Sequence, residues 1–464
     1  MHVSQQLIVA VFLLFLSFIA LFYYFCRQRY SIMDLCIYSR ILDLLHREVK
    51  PALGCTEPIA VALCVSRAVA AHPDYPNCLE RIGKVTVCVS ESILKNAMGV
   101  GIPGTGQIGL PIAIALAAVG GDWHNGLEVL KGVDSDWILR ARALLDRGAV
   151  EVRESQCGKL LYAEAKCEFE DGVRTRAIVE DMHDNITYVS VNDEVLLDVR
   201  KEECVCEQKS AKFLSLEDIY DFACNAELKD LEIIREQIRL NRALSEEGLR
   251  GDYGLRVGKT LMCSAMKEVF GETLNTACMG RTAAASDARM SGCPLPAMSN
   301  SGSGNQGITV SMPVVSAAEF MHSSDEALLR AVTLSNLVAI HIKSYLGRLS
   351  ALCGCVVAST GASCGIVMLK GGGVTQMSYA IKNMIGSITG MICDGAKEGC
   401  ALKVASGVSC ALQSAVLAMN GIYARSTDGI IDDDIEKTIE NLGKIGASGM
   451  KSANHLILDI MLCK

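Results

Sequence analysis

Read by the spacing of its apolar and polar positions, the chain changes character three times. It opens with an uncharged apolar run, Leu7 to Cys26, followed at once by Arg27 and Arg29. A run of about 20 such residues can span a bilayer, and its basic flank predicts an anchor that keeps the body of the protein cytoplasmic. No small-residue cleavage site follows it, so the run reads as uncleaved; the alternative is translation from Met33, without the leader 1–32. From Met33 to Ala71 the apolar period in MDLCIYSRILDLLHREV and IAVALCVSRAVA predicts two helices. Between them KPALGCTEP breaks the pattern, because Lys50-Pro51 and Glu57-Pro58 disfavour helix in the residue before each proline. Residues 33–82 are therefore read as a helical N-terminal part carrying the GCTEP loop.

The pattern then turns to alternation. KVTVCVS reads as a strand, and the segment after it runs through a glycine-rich turn into an apolar helix. KLLYAEAKCEFE, VRTRAIVED, NITYVSV and EVLLDV read as strands joined by polar turns such as EDG and DMHDN. Residues 83–200 thus form a small α+β domain with a glycine-rich helical insertion, and 201–212 a polar linker. From 213 to 464 the chain is helical. SLEDIYDFACNA opens with a Ser-x-x-Asp cap, and glycine clusters at 302–307 and 371–373 punctuate the Ala-, Leu- and Met-rich helices that follow. The expected fold class is α+β: a large, mainly helical domain, a small α+β domain and an N-terminal apolar helix.

Composition narrows the function. With 50% hydrophobic residues but only 5% aromatics, the core must be built of Ala, Val, Leu and Ile. A formal charge of -8 without a basic stripe argues against nucleic acid as a partner. The 21 cysteines are spread through apolar helical stretches, which speaks for free thiols in a reducing compartment rather than a disulfide scaffold. Most of them, Cys64, Cys88, Cys263 and Cys410 for example, are expected to be small buried hydrophobes.

Three segments carry candidate chemistry. Cys353, Cys393 and Cys400 could hold an iron–sulfur cluster by three irons, leaving a fourth open as a Lewis acid. Cys393 and Cys400 would be separated by about 10.5 Å along a straight helix, too far for one compact cluster, unless Gly395 and Gly399 let the backbone turn. Cys355 and Cys364 are rival ligands on the same stretch. The second segment, AASDARM through LPAMSNSGSGNQG, gathers Ser299, Asn300, Ser301, Gly302 and Asn305 into a set of hydroxyl, amide and backbone donors suited to an anion, with Arg289 able to clamp a carboxylate. The third, GVGIPGTGQIG, is a further candidate turn, preceded by Lys95 and Asn96; it fits neither a Walker A motif nor a dinucleotide fingerprint. Cys55 lies in a loop between helices or at a helix start, where backbone N–H groups lower a thiol's pKa. The eight histidines form no zinc pattern, and His341 reads as a core or interhelix residue.

With these residues in view, the chain resembles the L-cysteine desulfidase family, relatives of the iron–sulfur L-serine dehydratases. The resemblance is carried by VKPALGCTEPIAVAL, GVGIPGTGQIGLPIA, AASDARM with LPAMSNSGSGNQGI, LSALC and GMICDGAKEGCALKV. It covers the chain from about Glu48 to the C-terminal helices, and the leader departs from the family pattern. It implies a 4Fe-4S cluster held by Cys353, Cys393 and Cys400, with Cys55 catalytic or an additional ligand. Cys463 would be a tail ligand or a stray terminal thiol. The implied reaction is elimination from an amino acid bound by Arg289 and the Ser299–Gly307 nest, giving pyruvate and ammonia, with cysteine preferred to serine. Cys55, Lys50, Glu57 and Lys95 are the candidate bases, of which Cys55 and Lys95 are assigned as catalytic. A pyridoxal-phosphate lyase would catalyse the same net reaction, and a membrane-tethered cluster sensor would catalyse none. The expected partner is a small amino acid; membrane contact is confined to residues 7–26, and a homo-oligomer is left open.

Overall fold

The computed structural model describes residues 35–192, 194–200, 211–347 and 349–463. The apolar leader, with its Leu7–Cys26 anchor, and most of the 201–212 linker lie outside them. The described chain is a mixed helical protein with a small sheet, the α+β class its patterning predicts.

Two apolar cores organise it. The smaller surrounds a six-stranded sheet of order β5-β2-β6-β7-β8-β9. Its strands are β2 (Ile82–Val89), β5 (Val150–Glu154), β6 (Tyr162–Phe169), β7 (Arg174–Glu180), β8 (Ile186–Val191) and β9 (Glu194–Asp198). KVTVCVS is an inner strand, parallel to β5 and antiparallel to β6, so both of its edges are paired. Helix α2 (Thr56–Val69) packs across β6, β7 and β8, and α4 (Leu110–Gly120) packs on α2. Both helices are apolar on nearly every side, as burial between layers requires.

The larger core is helical. It holds α1 (Leu35–Glu48), α6 (Leu216–Asn225), α7 (Glu232–Arg250), α10 (Leu274–Met290), α11 (Gly304–Phe320), α12 (Asp325–Leu346), α13 (Gly354–Leu369), α14 (Val374–Ile388), α15 (Cys400–Met419) and α16 (Ile435–Lys444). Ser215 and Asp218 form the capping box read from SLEDIYDFACNA. Among the described residues α15 alone is long and apolar enough to cross a membrane, and half of it is buried against its neighbours. His341 is a core residue: its Nε2 lies 2.6 Å from Glu436 Oε2, tying α12 to α16.

Three short elements between the cores matter most. Strand β1 (Pro51–Ala52) pairs antiparallel with β10 (Ala297–Met298), stitching the GCTEP loop to the serine-rich loop. Helix α3 (Glu91–Ala97) leads into the glycine-rich turn, where β3 (Gly101–Ile102) pairs with β4 (Gln107–Ile108). Helix α17 (Lys451–Leu462) returns to pack on α3. Short helices α5 (Ser135–Asp146), α8 (Val257–Leu261) and α9 (Ser264–Phe270) complete the chain. Every described cysteine is a free thiol. Cys64 is buried as expected, but Cys88 and Cys410 are only half-buried on their strand and helix, and Cys263 is exposed in the bend between α8 and α9.

Candidate active site

The GCTEP turn supplies the first wall of the site. Cys55 precedes α2 in an extended conformation, with its side chain buried. Its Sγ donates to Glu57 Oε2 at 3.0 Å, Thr56 Oγ1 donates to the same oxygen at 3.1 Å, and Asn96 Nδ2 donates to Oε1 at 2.9 Å. Burial raises the Cys55 pKa well above the usual thiol value, and the Glu57 charge adds to this while Arg289 opposes it. The helix-start effect expected to acidify Cys55 is therefore overridden by burial and an adjacent carboxylate. For Glu57 the balance is reversed. Burial pushes its carboxyl up, yet His183, the Cys55 bond and Arg289 outweigh it and leave the pKa lowered. The pair is a protonated thiol donating to an ionised carboxylate.

The second wall is the end of α10. Arg289 is buried, and its Nη1 donates to Asn305 Oδ1 at 3.2 Å and to Met290 sulfur at 3.4 Å. Its Nε has no hydrogen-bond partner within the protein. A guanidinium carries five donors, so this one keeps capacity for an anion. Gly304 makes the placement feasible, since a Cβ there would lie 2.2 Å from Arg289 Nε. The neighbouring nest residues are committed to the fold. Ser299 Oγ donates to Lys50 O, and Ser301 N donates to Glu48 O. Asn300 donates to Asn336 Oδ1 and accepts from Ser301 Oγ and Gln306 Nε2. Of the six predicted anion-binding residues, Arg289, which bonds to Asn305, is near enough to Cys55 to influence its charge, while Ser299 and Gly302 line a narrow cleft with Glu48, Lys50 and His183.

The cysteines meet through backbone pairing. Cys353 N donates to Met391 O at 3.0 Å and Cys393 N to Ala351 O at 2.7 Å, with Leu352 and Ile392 bridged antiparallel. Cys400 opens α15, so the stretch from Cys393 to Cys400 is a loop and not the straight helix that would have separated the sulfurs. Gly395 makes the turn at φ +91°, where a Cβ would lie 2.5 Å from Lys95 O; Gly399 has an ordinary helical φ of -61°. Cys353, Cys393 and Cys400 influence one another's charge, and Cys355 joins them. A hydrogen bond from Cys355, helped by Lys403 and Lys343, holds Cys353 down at about 7 despite burial. Burial raises Cys393, and raises Cys400 to about 11. Cys364, the other rival ligand, bonds instead toward Met377 O in the helical core. Cys463 is exposed at the end of α17.

Cys55, Val100, Met290, Ala396 and Cys400 share one small apolar cluster. All three candidate segments and the GCTEP turn therefore converge at one place. Lys95 sits just outside, buried, with its Nζ donating to Cys393 O at 3.2 Å and Asn454 Oδ1 at 2.6 Å. Lys50 is ion-paired to Asp184 at 2.5 Å. His183, in the DMHDN turn, is the residue the sequence does not single out: nothing in a short polar turn marks its histidine as buried.

Three soft thiols close enough to influence one another's charge, with Lys95 and Lys403 nearby to offset negative charge, are a donor set that suits an iron–sulfur cluster. Among the described residues no His, Cys, Asp and Glu group is gathered tightly enough for a single metal ion.

A buried thiol–carboxylate pair, a buried arginine and a group of mutually influencing thiols thus lie close together. Comparison with known proteins then places the chain. Residues 141–459 match the family described as serine dehydratase alpha chain, and the chain belongs to that family. It is 48% identical to a UPF0597 protein of Phocaeicola vulgatus, over 92% of this chain and 98% of that one. A UPF0597 protein of Parabacteroides distasonis is 47% identical over 93% and 100%, and one of Shewanella pealeana 44% over 92% and 99%.

Proposed function

We propose that this protein is an iron–sulfur lyase that eliminates sulfide from L-cysteine. The balanced reaction is L-cysteine plus water giving pyruvate, ammonia and hydrogen sulfide. The observation that carries this reading is the packing of Cys55, which is bonded to Glu57, in one apolar cluster with Met290, the neighbour of Arg289, and Cys400.

In this reading Arg289 and Asn305 hold the substrate carboxylate, using the donors that the fold leaves open. Glu57, ionised and fixed by Asn96, takes the Cα proton. Cys55 keeps its proton and orients the Glu57 carboxylate through the 3.0 Å bond. Cys353, Cys393 and Cys400 would hold the cluster, which supplies a thiophilic Lewis acid for the departing sulfur. Lys95 positions the Cys393 turn through its carbonyl. The family's own name favours L-serine as a second substrate, one whose hydroxyl demands stronger polarisation.

Anaerobic turnover of L-cysteine and L-serine, run beside iron and acid-labile sulfide analysis, tests the assignment. Sulfide release exceeding serine deamination is expected, with colour that bleaches in air. A yellow, air-stable spectrum would instead identify a pyridoxal enzyme, and a coloured protein without turnover a sensor.

A further inference from the structure

A cavity of about 630 Å³ lies where the two cores abut: Leu349 of the sheet core and Leu346 of the helical core both line it. Cys55, Glu57, Arg289 and the three candidate thiols are not in its lining. Its size falls within the range of small-molecule sites. One wall is the end of β5 and the loop after it, and the other is the end of α12 with the start of α17. Leu160, Leu346, Leu349 and Met450 give the cavity its apolar surface. Two of its charged groups are already answered, since Lys159 lies 2.9 Å from Glu180 and Glu91 lies 2.8 Å from His455 Nδ1. Glu154 on the sheet wall and Lys451 on the helical wall are exposed and make no ion pair among the described residues. The lining therefore suits a molecule with one charge of each sign and an apolar side chain. The same walls hold the thiol loop. Ala351, in the lining, stands opposite Cys393 and accepts its N–H at 2.7 Å. Asn454, also in the lining, accepts from Lys95 Nζ at 2.6 Å, and that Nζ donates to Cys393 O at 3.2 Å. Both backbone groups of Cys393 are thus fixed by the cavity wall, one directly and one through Lys95.

We propose that this cavity binds a free α-amino acid with a large apolar side chain, and that its occupancy steadies the Cys393 turn. The carboxylate meets Lys451, the ammonium meets Glu154, and the side chain lies on the four apolar residues between them. A ligand held this way joins the sheet wall to the helical wall. The arrangement that keeps Ala351 and Asn454 in place then gains the free energy of binding, because a ligand favours the conformation that binds it better. Neither the site nor its effect on the turn depends on the lyase reading above.

Titration calorimetry of the full-length protein under anaerobic conditions, with L-leucine and L-methionine as probes, tests the site. Each is expected to bind once per chain at the cavity. Glycine, which lacks the side chain, and 3-methylbutylamine, which lacks the carboxylate, should bind about tenfold or more weakly, the scale of one lost charged contact. Ala447→Trp, which fills the cavity from its lining, should raise the Kd of L-leucine by about tenfold or more, as should Glu154→Gln combined with Lys451→Gln. Arg289→Gln should leave that Kd unchanged. Loss of binding in Arg289→Gln but not in the cavity variants would put the amino acid at Cys55 and overturn the inference, as would a wild type that binds neither probe. Should Ala447→Trp fail to fold, the exposed Glu154 and Lys451 pair decides the matter alone. Hydrogen exchange reads the effect on the turn: saturating L-leucine should slow exchange of the Cys393 amide about fivefold, the lower end of ordinary coupling between sites. The doubly substituted protein should show no such slowing. An unchanged rate in wild type refutes the link to the turn. Wild-type protein that binds L-leucine at the cavity but releases neither sulfide nor pyruvate sinks the lyase reading and leaves this site standing.

Discussion

Individual residues at this site are set by competition between burial and charge. Cys55 and Cys353 both lie at helix starts, yet one thiol is pushed up by Glu57 and burial while the other is held down by a second thiol and two lysines. Cys353→Ala, Cys393→Ala and Cys400→Ala should each lose iron, colour and turnover. Cys55→Ala should retain its iron while turnover falls by about 100-fold or more, read by iron analysis beside a sulfide assay. Iron loss in the Cys55 variant would move that residue into the ligand set. Asp287, buried in α10 and accepting from Gly258 N at 2.9 Å, is a second case. Burial raises its pKa to about 6. A raised folded value means that the neutral acid is favoured by the fold, so this contribution to stability is complete below pH 4 and is lost as pH rises through 6. Asp287→Asn keeps an acceptor for Gly258 and removes the charge. It should therefore unfold at a higher temperature than wild type at pH 8, by a margin on the order of 2 kcal/mol, with no gain at pH 4.

At the scale of elements, the C-terminal helix α17 is tied to α3 by buried Lys95 and by Glu91, which accepts from Asn454 Nδ2 at 3.2 Å and lies 2.8 Å from His455 Nδ1. Lys95→Met removes the bonds to Cys393 O and Asn454, and each lost charged hydrogen bond costs about 1.5–3 kcal/mol. Hydrogen exchange should speed up in Lys451–Leu462 and the Cys393 loop while α11 and α12 stay protected; uniform protection throughout would contradict this. The helices and the KVTVCVS strand are legible in the sequence because their apolar periods extend over many residues. Pro51–Ala52 and Ala297–Met298 are not, since two-residue strands have no period and their partner lies far along the chain. The same limit hid His183, whose burial is imposed by α2 packing and not by its own turn. Arg289, Cys55 and the three cysteines could be read because their chemistry resides in the residue type and its motif, whereas the commitment of Ser299, Asn300 and Ser301 to internal bonds required the fold.

Across the whole molecule, the site lies beside the helical core, to which Cys353 belongs and against which Cys393 packs, while the sheet core contains none of the three thiols. Chelation or air oxidation should abolish turnover while the main unfolding transition, followed by circular dichroism, shifts by only a few degrees. Collapse of that transition on iron loss would show that the thiol loops hold the cores together.

The short pairing of β1 with β10 has a consequence for biogenesis. The residues joined there leave the ribosome roughly 250 positions apart, and Cys400 follows about 100 residues later still. No chain that stops short of Cys400 can set all three thiols beside Cys55, so a cluster held by them could be inserted only late in synthesis or after it.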